Sequence, residues 1–257
     1  MTEPRRPRAA LITGAAKRVG AAIARQLAAD GWNVIVHYHR SEQEAQQLAQ
    51  EIRAAGGRCD LVQGDLGNRS DVETLIDKCV ALHGTIDCLI NNASTFQYDD
   101  IASVTWESLH DHLASNLIAP VFLCRDFVRQ YDGRSDGCII NILDQKIANL
   151  NPDFLSYTIA KVGLAGLTTM LAMALAGRIR VCGIAPGIAL ISGKQNQASF
   201  EKAWRAPLLG RSTTPGEIAT CVAYILASPA MTGSTIFLDA GESLTGRARD
   251  VAMDPSV

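Results

Sequence analysis

What this 257-residue chain lacks narrows its function before any motif is considered. Its seven cysteines, at 59, 79, 88, 124, 138, 182 and 221, are odd in number and include no C-x-x-C pair. That pattern argues against a disulfide framework or a zinc site, and for reduced thiols in a cytoplasmic protein that binds no metal. Neither sign of charge dominates: 24 Lys and Arg stand against 26 Asp and Glu, a formal net charge of −2. No basic field is left to recruit nucleic acid. No apolar run reaches the roughly 20 residues that a bilayer span requires. The most lipid-like stretch, 162–176, reads instead as a buried or interface helix. The first residues, MTEPRRPR, are basic but lead into a strand-like segment, not into the apolar region of a signal peptide. Repeats and low-complexity linkers are absent too, so 1–257 is predicted to be a single domain, with 1–7 and 245–257 mobile.

With 47% hydrophobic residues the chain can build one full core. Short apolar runs at 10–13, 33–38, 59–62, 87–92, 138–143, 180–185 and 234–239 read as buried strands. Helical stretches fall between them at 17–29, 42–55, 69–82, 105–130, 155–176 and 216–227. Strands alternating with helices imply βαβ units, and so a Rossmann-type, doubly wound α/β fold with about seven parallel strands and helices on both faces. The segment 186–207 shows no clear periodicity and is long for a connection, which suits a substrate loop.

The first strand, ALIT, runs into G-A-A-K-R-V-G and an apolar-periodic helix. This context lets Gly14, Arg18, Val19 and Gly20 offer a helix N-terminus to a pyrophosphate. Yet the turn has Arg18 where a further glycine would allow close backbone approach. The second strand also ends without something: VHYHRS carries His39, Arg40 and Ser41, and no acid. An acid at that tip would grip the ribose of NAD, whereas a guanidinium and a hydroxyl suit a 2′-phosphate, so the expected cofactor is NADPH. After the third strand, Asp65 and Leu66 are placed to receive the adenine. After the fourth, Asn92, Ala93 and Ser94 lie where ligands collect. Tyr157 and Lys161, in YTIAK, are four apart and share one helix face. A neighbouring ammonium would lower the pKa of the phenol and fit it for proton transfer.

These motifs together resemble the short-chain dehydrogenases/reductases, and the likeness runs from Thr13 to Gly241. The resemblance implies that Tyr157 is the general acid and that Lys161 holds the nicotinamide ribose. It implies that Asn116, in SNLIAP, anchors a water relay and that Pro186 and Gly187 bind the cofactor. It also implies a homotetramer built through 105–130 and 155–176. One departure is informative. Thirteen residues before the tyrosine, where the family carries serine, stands Asp144. A serine hydroxyl donates to a ketone oxygen; an ionised carboxylate only accepts, and has the wrong charge for a developing oxyanion. Facing a ring nitrogen that must gain a proton, it can take part in a relay.

TGAAKR, HYHRS, NNAS-x-F and the Asp…Tyr-x-x-x-Lys arrangement are similar to the pteridine reductases and related dihydromonapterin reductases within that family. The likeness implies a pterin stacked on Phe96, with Arg18, Ser94, Asp144 and Tyr157 around it and Arg18 reaching cofactor phosphate and pterin together. It implies reduction of dihydropterins, with dihydrofolate a further candidate. Residues 187–211 depart from that branch, and Phe200 or Trp204 is placed to close over a ligand or to pack the loop. Two other functions fit the same motifs: an NADPH-dependent carbonyl reductase acting on ketones or acyl thioesters, and a non-catalytic NADPH sensor.

Overall fold

The computed structural model describes residues 8–131, 136–191 and 196–253, so the expectation for 1–7 lies outside the described residues. Seven strands, β1 (Ala9–Ile12), β2 (Asn33–Tyr38), β3 (Arg58–Gln63), β4 (Cys88–Asn91), β5 (Gly137–Ile142), β6 (Ile179–Pro186) and β7 (Thr235–Leu238), form one sheet in the order β3-β2-β1-β4-β5-β6-β7. Every pairing is parallel, as in β1 with β2 (Leu11 opposite Ile35) and β4 with β5 (Asn91 opposite Asn141). Such strands are buried on both faces, which is why the runs are continuously apolar and not alternating. The helices α1 (Arg18–Ala29), α2 (Glu42–Ala54) and α8 (Pro215–Ala227) cover one face through Ile23, Leu27, Leu48 and Val222. On the other face lie α3 (Arg69–His83), α5 (Ala119–Arg129) and α6 (Leu155–Ala174), with Leu75, Leu123 and Phe127 in the core.

Three elements differ from the sequence expectation. The stretch 105–130 is not one helix: α4 (Trp106–Leu113) and α5 are joined by a π-helical turn, Ala114–Ile118. The segment 186–207 contains a helix, α7 (Gln197–Arg205), capped by the Asn196 side chain on the Ser199 amide. The described part of the tail does not hang free: Asp250 and Val251 are buried, and Asp250 pairs with Lys146 at 2.8 Å. The apolar run 162–176 belongs to α6, which is long and apolar enough to cross a membrane but carries buried Tyr157 and Lys161 against the sheet. All seven cysteines are free, and six of them are buried.

The strand order reverses between β1 and β4, so a crevice opens at their carboxyl ends, where ligands bind in sheets of this kind. Two buried ionisable groups brace this edge. His37, on β2, accepts the Gly14 amide on Nδ1 at 3.0 Å, so the ring proton is on Nε2, 3.1 Å from the Gly64 carbonyl. Burial lowers its pKa to about 4. Glu242, after β7, accepts from Gln145 Nε2 at 3.1 Å. Burial, reinforced by the carboxyls of Asp144 and Asp250, raises it to about 8.

These shifts set a pH dependence of stability with a definite sign. Between 4.5 and about 8 the native Glu242 holds a proton that the unfolded chain has released, so its contribution falls as pH rises. Between about 4 and 6.5 the unfolded chain binds a proton that native His37 does not, so that contribution is lost as pH falls. The two slopes oppose each other up to pH 6.5; above it the Glu242 slope continues without that of His37, and the raised Asp144 carboxyl acts in the same direction. Cofactor-free protein is therefore expected to lose roughly 2 kcal/mol of unfolding free energy from pH 6.5 to 8. Glu242→Gln, which cannot ionise, should flatten that interval in urea titrations; an equal slope in both proteins would remove Glu242 as its source.

Candidate active site

The crevice is a cleft of about 1250 Å³. It is lined by Gly14, Arg18, Val19, Gly20, His39, Arg40, Ser41, Asp65, Leu66, Asn92, Ala93, Ser94, Phe96, Asp144, Tyr157, Lys161, Pro186 and Gly187. Of the residues singled out in the sequence as catalytic or as binding cofactor or substrate, Asn116 alone is not on its wall. Side-chain bonds to backbone hold the β1 and β4 ends together. Thr13 Oγ1 accepts the amides of Asn92 and Ala93 at 2.9 and 3.0 Å. Asn92 Nδ2 donates to the carbonyls of Thr13 and Gly14 at 2.8 and 3.2 Å. The glycines answer to this packing. A Cβ on Gly14, whose φ is +61°, would sit 2.8 Å from Ala93 Cα, and one on Gly20 would sit 2.6 Å from Asn92 Nδ2.

Arg18 takes over the glycine's place in backbone terms as well: its φ is +59°. The strained geometry aims its guanidinium across the cleft, where Nη1 donates to the Ile191 carbonyl at 2.8 Å. It thus ties the Gly14–Gly20 turn to the segment after β6. At the tip of β2, His39 Nε2 lies 3.4 Å from Asp65 Oδ2, while Asp65 Oδ1 accepts the Gly67 amide at 2.8 Å. Arg40 is exposed on the wall beside Ser41, and Lys17, which sequence reasoning passed over, adds a further cation there. This end of the cleft offers guanidinium, ammonium and hydroxyl groups, a donor set that fits a phosphorylated ribose.

At the other end, Tyr157 Oη donates to Asp144 Oδ2 at 2.7 Å. Asp144 stands at the end of β5 and caps the short turn Gln145–Ile147, taking the Lys146 amide on Oδ1 at 2.9 Å. Lys161 Nζ donates to the Ile142 carbonyl at 2.7 Å and lies 5.6 Å from the Tyr157 ring. Burial raises the Asp144 carboxyl above its ordinary range despite the hydrogen bonds from the Lys146 amide and Tyr157. It lowers Lys161 to about 8. The expected lowering of the phenol pKa is not found: burial and the Asp144 carboxylate push Tyr157 well above its ordinary value. Tyr157 is held as a neutral phenol and a proton donor, with a carboxyl directly behind it.

Phe96 does not stand alone. Phe154 stacks on it at 4.4 Å between ring centroids, and Tyr157 meets it edge-on at 4.7 Å. Phe154 has a φ of +54° at the entry to α6, a conformation that nothing in the flanking sequence NPDFL announces. Asn116, in the π-helical turn, spends its amide on Thr95: Nδ2 donates to the Thr95 carbonyl at 2.9 Å and Oδ1 accepts its amide at 2.8 Å. Instead of facing the cleft to anchor water, this side chain fixes the Ser94–Phe96 turn from behind. Phe200 and Trp204 do not line the cleft either; Trp204 Nε1 donates to the Thr213 carbonyl at 3.3 Å, whereas Ser199 of the same helix reaches the wall.

The short chain dehydrogenase family model matches residues 8–202. Pteridine reductase 1 of Leishmania tarentolae is 34% identical, over 95% of this chain and 99% of that protein. The 3-oxoacyl-[acyl-carrier-protein] reductase FabG of Staphylococcus epidermidis is 32% identical, over 91% of this chain and 98% of that one. Among solved structures, the FolM alternative dihydrofolate reductase 1 of Brucella canis, complexed with NADP, superposes with a TM-score of 0.90 at 37% identity, covering 95% of this chain and 96% of that one. With the parallel seven-stranded sheet, the cleft at its switch point and the Tyr157–Lys161 pair, these matches make the chain a member of the short-chain dehydrogenase family, an oxidoreductase on the pteridine-reductase-like branch.

Proposed function

We propose that this oxidoreductase reduces the C=N bond of dihydropterins, dihydrofolate among them, to the tetrahydro form. The observation that carries this reading is the 2.7 Å bond from Tyr157 Oη to Asp144 Oδ2 inside the cleft. The relatives that act on pteridines and dihydrofolate support it. The cofactor is NADPH, in keeping with the NADP- and NADPH-bound neighbours and the cations at the β2 tip. Arg40, His39, Ser41 and Lys17 would hold its 2′-phosphate, and Asp65 and Leu66 would flank its adenine. The Gly14–Gly20 turn would hold its pyrophosphate, and Lys161, Pro186 and Gly187 its nicotinamide half. When bound it supplies the hydride.

The chain's own residues supply the proton. As the carbon is reduced, the Tyr157 O–H bond breaks and an N–H bond forms on the pterin ring. Asp144 in its acid form then passes its proton to the phenolate, leaving a carboxylate that solvent in the cleft recharges. The raised carboxyl pKa matters here, because an acid is useful only while it holds its proton. Phe96 and Phe154 give the flat heterocycle an aromatic wall. Lys161 orients the site through its bond to the Ile142 carbonyl. We also infer a tetramer through α5 and α6, whose outer faces leave Val121, Phe122, Ile159, Val162 and Met173 exposed. The FabG relatives favour a second reading, carbonyl reduction.

Two experiments test these proposals. Arg40→Ala is expected to weaken NADPH binding by about tenfold to a hundredfold, the loss of one charge-assisted hydrogen bond. NADH binding should hardly change, and equal losses for both cofactors would exclude the phosphate clamp. Asp144→Asn keeps the shape but cannot pass on an acid proton, so turnover of a dihydropterin should fall by roughly 10²-fold or more. Asp144→Ser should lose pterin activity while gaining activity on a diketone. Parallel responses of kcat/KM on the two substrates would favour carbonyl reduction.

A further inference from the structure

The tail that the sequence left unassigned is docked onto the turn that carries Asp144. Arg249 donates to both oxygens of Asp153, at 2.6 and 2.8 Å, and the Asp250 amide adds a bond to Oδ2 at 2.8 Å. Asp250 Oδ2 then receives Lys146 Nζ at 2.8 Å, and the same ammonium donates to Asn151 Oδ1 at 3.0 Å. Lys146 is 2% exposed and Asp250 8% exposed, so the pair is buried in the wall of the cleft. The backbone amide of Lys146 is also the one that holds Asp144 Oδ1. A buried pair of this kind is a poor source of stability, since apolar residues of equal volume do as well or better. A reason for two buried charges at this place has to be sought in what they act on.

What they act on is Asp144. The charged and titratable groups that face it are Tyr157 and Lys161 from α6, Lys146 from its own turn, and Glu242 from the segment after β7. Asp250 stands behind Lys146 and also acts on Tyr157 and Glu242. Alone, the Lys146 ammonium would favour the carboxylate form of Asp144 and empty the proton store at working pH. Asp250, 2.8 Å from that ammonium, sets a carboxylate against its field, and Asp144 stays above the ordinary carboxylate range although Lys146 still pulls it down.

We propose that Asp250 and Lys146 form a charge-setting pair that positions the Asp144 turn and keeps Asp144 able to hold the proton that Tyr157 delivers. The inference rests on the reading of Asp144 as an acid in pterin reduction. Neither residue touches the reacting atoms; both are positioning residues.

The test is the pH profile of kcat/KM for one dihydropterin with NADPH, in Asp250→Asn, Lys146→Gln and the double variant. It is paired with a ¹³C-carboxyl NMR titration of Asp144 in the cofactor-free protein. Asp250→Asn leaves the ammonium uncompensated. The alkaline limb should move to lower pH, cutting kcat/KM at a fixed pH on that limb by about threefold to tenfold. Lys146→Gln leaves the Asp250 carboxylate facing the site, and the limb should move to higher pH. The double variant should bring the limb back towards its wild-type position, and the NMR titration should move in step. A merely structural role predicts activity lost at every pH with the limb in place, or both single variants moving it the same way, and either result overturns the inference. Should Asp250→Asn not fold, Lys146→Gln decides alone: a limb unmoved or moved to lower pH overturns it. Asp144→Asn separates the two claims. An alkaline limb that persists in Asp144→Asn sinks the pterin mechanism itself. A limb that vanishes there but stays fixed in the other variants sinks only the role of Asp250 and Lys146.

Discussion

The carboxyl edge of the sheet depends on the bonds that join β1 to β4. Parallel strands that part company at a topological switch leave their terminal amides and carbonyls without sheet partners. Here Thr13 and Asn92 satisfy them reciprocally, hydroxyl to amides and amide to carbonyls. The Gly14 amide, pointing the other way, is taken by the neutral ring of His37. These few bonds fix the phosphate turn and the Asn92–Ser94 segment in one rigid unit. Because Gly14 and Gly20 carry no Cβ, the two turns can close to within van der Waals contact. Without that closure the helix α1 would not present its N-terminus at the mouth of the cleft, and the cations on β2 would have no fixed partner across it.

The opposite end of the cleft depends on burial. Asp144, Tyr157 and Lys161 lie where water is scarce, and each is displaced toward its uncharged form. An ammonium and two acids that all lean to neutrality form a site in which moving a proton creates little net charge. That suits protonation of a ring nitrogen better than it suits stabilising an oxyanion, for which a fixed donor is required. The serine of the wider family is such a donor, and its replacement by Asp144 changes the electrostatic character of the site as well as a side chain.

Much of the architecture was legible in the sequence, because a parallel sheet writes itself as apolar runs and an i, i+4 pair needs only helix geometry. All seven strands fall within about two residues of their expected ends, and Tyr157 and Lys161 do meet on one face of α6. What escaped has a common cause. The π-helical turn at Ala114–Ile118 is a backbone event with no side-chain signature. Phe154 was hidden because a positive φ at a bulky residue runs against local preference and is imposed from outside. The Lys146–Asp250 contact joins positions 104 apart, and one sequence offers many carboxylates for one lysine. Asn116 lies in that same π-helical turn, and its side chain is bonded to Thr95, a direction that the sequence does not carry.

Arg18 sets backbone strain against a link across the cleft. A residue with a side chain at φ +59° stores strain of roughly 1–3 kcal/mol, and glycine would relieve most of it. The same substitution would cut the link from the Gly14–Gly20 turn to the Ile191 carbonyl. Arg18 therefore trades backbone strain for a fixed span between the Gly14–Gly20 turn and the segment after β6, and a chain with glycine here would be the more relaxed and the less tightly joined.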